Sequence, residues 1–159
     1  MSETFMGVET EALAALGKVV VGAGRVEMVL AMVANEIGVL EPSAGVSRVI
    51  KELRKASQMD LPAPIAAVCV DVLEWASGLG EPFKFRNNIL HGAHMQSLNA
   101  ENGFDPIALQ LRSGERQPVS VDELEAVAER LACLHTEGMA LFGAAHIANL
   151  SLKPQSHRR

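Results

Sequence analysis

Between Glu9 and Ile37 the apolar residues recur three or four positions apart, as Leu13, Leu16 and Val20 and then Val26, Leu30, Val33 and Ile37. That spacing lines one face of an α-helix and predicts one long helix or two in succession. Gly22 and Gly24 stand in the middle. A glycine inside a helix costs about 1 kcal/mol relative to alanine, so these two mark either a break or a close contact with a neighbouring backbone, and a break is expected. Composition points the same way: 48% of the 159 residues are hydrophobic, yet there are only five Phe, one Trp and no Tyr. Cores built from Ala, Leu, Val and Met suit helix packing better than β-sandwiches or barrels.

The rest of the chain continues the pattern. After a loop from Gly38 to Ala44, Val46, Val49, Ile50 and Leu53 predict a short amphipathic helix with Lys51, Arg54 and Lys55 outward. Asp60-Leu61-Pro62 suits a capped start for a third helix carrying Ile65, Val68, Val72, Trp75, Ala76 and Leu79 and ending near Gly78 or Gly80. Glu81-Pro82 opens a fourth, with Phe83, Phe85, Ile89 and Leu90, expected to end near His94 or Met95. Residues 96 to 118 turn to Asn, Gly, Asp and Pro around the alternating piece Ile107 to Arg112, predicting a mobile loop or small β-hairpin. Ser120-Val121-Asp122-Glu123 has the form of a capping box and begins a last long helix, with Leu124, Val127, Leu131, Leu134, Met139, Leu141 and Phe142, to about Leu150. The expectation is an all-α bundle of four to five helices in a single domain, residues 1–152, followed by a disordered basic tail, residues 153–159.

Several function classes are excluded or disfavoured. A net charge of −5 argues against nonspecific coating of nucleic acid, which needs a basic footprint, though it allows a small basic pocket. Cys69 and Cys133 are far apart with no C-x-x-C partner, so neither a zinc site nor a disulfide framework is indicated and a reduced cytoplasm fits. Met1 to Thr10 lacks the layout of a secretory signal, and the apolar region Ala12 to Ala34 is interrupted by Lys18, Arg25 and Glu27, against a membrane span. There is no G-x-S-x-G turn and no Gly-rich phosphate loop.

The chemistry concentrates in Arg86-Asn87-Asn88-Ile89-Leu90-His91-Gly92-Ala93-His94. On a helix, Asn87, His91 and His94 share one narrow arc, while Phe85, Ile89, Leu90 and Ala93 share the opposite, buried side. Arg86 falls on the apolar flank, where a guanidinium needs a specific partner, either a phosphate or a carboxylate such as Glu27 or Glu74. A His91/His94 metal pair is disfavoured, because no Asp, Glu or Cys stands nearby to complete a coordination shell. No metal or other cofactor is expected. His135, His146 and His157 form no cluster and read as ordinary side chains.

Arg86, Asn87 and His91 form R-N-x-x-x-H, and this resembles the signature of HEPN domains, with Ile89-Leu90-His91-Gly92 supplying the apolar pair and glycine that often flank the family's histidine. The order of long helices before the motif and a capped helix after it is similar over most of the chain. A looser version of the motif, Arg130 to His135, also fits and is read as coincidence. The resemblance implies a small helical bundle, commonly a homodimer, acting as a metal-independent ribonuclease in toxin–antitoxin, abortive-infection and other defence systems. RNA would then be the substrate and an antitoxin or regulatory protein a partner, with no membrane involved. In such a site Arg86 would stabilise phosphate, Asn87 would orient an oxygen, and His91 would transfer protons, with His94 as a candidate second proton-transfer group. Two alternatives stay open: a HEPN-like module that binds RNA or protein without catalysis, and an unrelated helical dimerisation or regulatory bundle in which Arg86 forms an interhelix ion pair.

Overall fold

The computed structural model describes the backbone of residues 4–5, 8–39, 45–91, 93–95, 98–99, 103–104, 107–110 and 116–152, and the side chains of 10–39, 45–90 and 117–152. Five helices dominate it: α1 (Thr10–Ile37), α2 (Val46–Ala56), α3 (Ala63–Ser77), α4 (Gly80–His91) and α5 (Val121–Leu152). The fold is all-α, as expected. The helices group into two compact units, one formed by residues 1–23 and 80–132, the other by 24–79 and 133–159.

The expected break at Gly22 and Gly24 is absent, because α1 is continuous from Thr10 to Ile37. Val19, Ala23, Val26, Val29 and Val33 are all fully buried, so the apolar stripe runs straight through the glycines. Each of the four valines contributes about 1.5–3 kcal/mol by leaving water, which together exceeds the propensity cost of two glycines. Gly22 also has a packing reason: a Cβ there would lie 3.1 Å from the Cβ of Leu131 on α5. Before the glycines the buried face is rotated by about one residue from the expected one, onto Ala12, Ala15, Leu16 and Val19, while Leu13 and Val20 are half-buried.

In the first unit, short antiparallel strands flank the helices. β1 (Thr4–Phe5) pairs with β2 (Val8–Glu9), ahead of α1. Between α4 and α5 lie β3 (Ala93–Met95), β4 (Leu98–Asn99), β5 (Gly103–Phe104), β6 (Ile107–Gln110) and β7 (Arg116–Val119). Here β4 pairs with β5, and β3, β6 and β7 align in that order. Pro118 sits on the edge strand β7, where the missing N–H does least harm. The capping box is formed: Ser120 N–H donates to Glu123 Oε2 at 2.7 Å, and Glu123 N–H donates to Ser120 Oγ at 3.1 Å. The two residues thus satisfy each other's free donors at the start of α5.

In the second unit, the expected buried stripe of α3 is complete: Ile65, Val68, Val72, Trp75, Ala76 and Leu79 are all buried. Its start differs, since Asp60 makes no cap; the N-cap is Pro62, without a side-chain hydrogen bond. Proline cannot donate from its backbone, and with Pro64 inside the first turn fewer donors there need a cap. On α5 the buried face past Leu134 runs through Gly138, Ala145 and Ala148, and Met139, expected in the core, is 39% exposed. Gly138 explains the shift. Its bare backbone lets the Trp75 indole approach, and Trp75 Nε1 donates to the Leu134 carbonyl, one turn earlier, at 3.1 Å.

Three of the last four carbonyls of α1 have partners. Gly38 adopts φ +86°, and its N–H donates to the Asn35 carbonyl at 3.0 Å while Val39 N–H donates to Ala34 at 2.9 Å. This is the paired closure that a left-handed residue after a helix permits. The Glu36 carbonyl accepts from Asn149 Nδ2 of α5 at 3.3 Å. Residues 40–44 and the basic tail 153–159 lie outside the described residues.

Candidate functional site

The motif occupies the second half of α4. Pro82 and Phe83 are buried in the first turn and Ile89 is buried further along, which anchors the helix by one side. Leu90 does not share that side as expected: it is 47% exposed, and Phe85 is half-buried.

Arg86 is half-buried on the flank, as its place on the helical wheel predicts. Its Cζ lies 5.8 Å from the centroid of the Phe83 ring, one turn earlier, so the aromatic face carries part of the cation. Nη1 donates to Oδ1 of the exposed Asn87 at 3.0 Å. Nε is enclosed and makes no hydrogen bond to the described residues. Stacking on Phe83 and the amide of Asn87 are two of the contacts that hold the guanidinium, and Asn87 keeps its Nδ2 as a donor. A guanidinium pairs well with phosphate oxygens.

His91 is the last residue of α4. Positions 87 and 91 are one helical turn apart and share a face of the helix. His94 is displaced from that arc. The helix stops at His91 rather than near His94 or Met95, and His94 is the central residue of β3, paired in register with Leu109 of β6. Ala93, expected on the buried face of the helix, opens that strand and pairs with Gln110. The cause is tertiary: residues 93–95 exchange helical hydrogen bonds for a ladder with a strand more than ten residues downstream. Arg86 and Asn87 are therefore brought together, His91 follows on the same helix, and His94 belongs to a different element. The side chains of His91 and His94 lie outside the described residues.

A second polar cluster has no signal in the spacing of residues. In the second unit, His146 Nδ1 lies 3.2 Å from Glu36 Oε1, Asn149 Nδ2 lies 3.1 Å from Glu36 Oε2, and the His146 ring stacks on Phe142 at 6.2 Å. Its members come from the end of α1 and from α5, 110 and 113 positions apart, so only the folded chain assembles them. Because Asn149 also caps the Glu36 carbonyl, this cluster ties down a helix terminus. The looser motif, Arg130 to His135, lies within α5, with Arg130 exposed and His135 half-buried.

Among the described residues no three His, Cys, Asp or Glu side chains gather as a metal ion would require. Cys69 is buried and burial pushes its thiol pKa up, which makes it a poor nucleophile, whereas Cys133 is exposed. No single helix is long and apolar enough to cross a membrane. No protein-family model, no curated protein and no solved structure matches the chain.

Proposed function

We propose that this chain is a HEPN-type endoribonuclease that cleaves RNA without a metal, its site built on Arg86, Asn87 and His91. The observation that carries the proposal is the 3.0 Å hydrogen bond from Arg86 Nη1 to Asn87 Oδ1 on α4, one helical turn ahead of His91. Cleavage by the ribose 2′-OH needs a base for its proton, an acid for the departing 5′-oxygen, and positive charge on the phosphate as it becomes five-coordinate. Arg86 supplies the charge, Asn87 holds the guanidinium and offers Nδ2 to a phosphate oxygen, and His91 moves protons. The 2′-oxygen bonds to phosphorus as the bond to the 5′-oxygen breaks, leaving a 2′,3′-cyclic phosphate and a 5′-hydroxyl.

One imidazole cannot begin as both base and acid, so a two-fold dimer that joins two motif helices completes the site, each copy contributing one His91. His94 on β3, three residues on, is the second proton-transfer group if the protein acts as a monomer. A toxin or defence role, restrained by an antitoxin or other regulatory protein, follows from the same family resemblance. The alternative of an unrelated helical dimerisation or regulatory bundle draws on two observations: the stacking of Arg86 on Phe83 and the enclosure of its Nε also describe an arginine that supports the fold.

The test is incubation of purified protein with total cellular RNA in excess EDTA, with Arg86→Ala and His91→Ala variants alongside. Cleavage by wild type that both variants lose by at least about 100-fold, the usual contribution of a general acid or base, is the expected result. Intact RNA with the wild type, or undiminished cleavage by His91→Ala, refutes it.

A further inference from the structure

The helix α2 carries a concentration of positive charge out of keeping with a chain of net charge −5. Arg48, Lys51, Arg54 and Lys55 are all exposed. At 100° per residue these four, with Ser47, occupy an arc of about 120°. The opposite side, Val49, Leu53 and Ala56, is buried. Glu52 stands at the margin of the arc, 2.7 Å from Lys55, and its carboxyl is held below the ordinary range first by that bond and further by Lys51 and Arg48.

Helix stability explains only part of this array. Arg54 and Lys55 sit in the last turn, where cations complement the helix dipole, and Arg48 and Lys51 act on the Glu52 carboxylate, yet four cations face this single acid on α2. The arc also lacks what other partners need. It contains no exposed apolar anchor of the kind that dominates protein–protein interfaces. Nor can α2 lie in a lipid interface, because its apolar side is already buried within its own unit. Cations and neutral donors without apolar anchors are the composition that grips a phosphodiester backbone irrespective of sequence. From Arg48 to Lys55 the array extends about 10 Å along the helix axis, enough for two or three successive phosphates.

We propose that the exposed face of α2 is a backbone-binding site for single-stranded RNA, built from residues other than those of the Arg86–His91 motif. The choice of RNA rests on the ribonuclease reading above; the phosphate chemistry does not.

The test uses the full chain carrying His91→Ala, so that the probe stays intact, and a labelled single-stranded RNA of mixed sequence titrated across a range of salt. Arg48→Gln, Lys51→Gln and Arg54→Gln are combined, which leaves the Lys55–Glu52 pair in place, and helicity is checked by circular dichroism. Affinity should fall about tenfold or more at low salt, and the slope of log affinity against log salt should flatten by about 0.7 for each phosphate that the protein no longer neutralises. Lysine at positions 48 and 54, with Lys51 native, should restore both. Unchanged binding by the triple variant, or no RNA binding by its parent, overturns the proposal. So does equal binding to phosphatidylserine vesicles with the same dependence on the three cations, which would make the face a membrane-surface contact. If the triple variant loses RNA binding while the chain with His91 intact cleaves nothing, the α2 site stands and the ribonuclease reading falls.

Discussion

Gly138 is enclosed by the Trp75 indole and a methyl of Val29, each 2.7 Å from where a Cβ would stand, whereas a Cβ at Gly143, five residues on, would meet nothing within 4 Å. Both glycines lie inside α5, so helix propensity favours alanine at either by up to about 1 kcal/mol. Overpacking decides between them: Gly138→Ala should lower stability to urea unfolding by about 1–3 kcal/mol, and Gly143→Ala should raise it by about 0.5–1 kcal/mol. Equal effects in one direction would contradict this role for the Trp75 contact. The apolar spacing marks Trp75 as core but gives no sign that its partner is a glycine, because that depends on which turn of α5 passes α3. Arg86 is legible in part: its flank position follows from the helical wheel, but the sequence points it to a phosphate or a carboxylate and not to the amide of Asn87, to which its Nη1 donates.

At the scale of elements, local signals are legible in the sequence and nonlocal ones are not. The start of α5 is encoded within four residues, Ser120 to Glu123, and the hydrogen bonds expected there are formed. Ser120→Ala should cost about 1 kcal/mol in chemical unfolding, and no measurable loss would show that the cap contributes nothing. His94 looks helical in the sequence because its spacing from His91 fits a helix. Its strand placement comes from Leu109, which no local pattern could reveal. The continuity of α1 through Gly22 and Gly24 is hidden for a related reason: propensity is a property of residues, but the burial that outweighs it belongs to the packed helix.

At the scale of the whole molecule, apolar periodicity and the scarcity of aromatic residues suffice for the all-α class, since both are averages over many positions and tolerate local errors. Catalysis is a stricter matter, because it depends on how few groups meet around one phosphate. A dimer is expected in solution at micromolar concentration by gel filtration with light scattering; a monomer would remove the composite site and leave the second proton transfer to His94. The central claim, that His91 moves protons in an attack by the ribose 2′-OH, is tested most directly by the chemistry of the cut ends. RNA treated with wild type in excess EDTA should carry 2′,3′-cyclic phosphate and 5′-hydroxyl termini, and both should vanish with His91→Ala. Ends bearing 5′-phosphate, or cyclic phosphate formed equally by the His91→Ala variant, would contradict it.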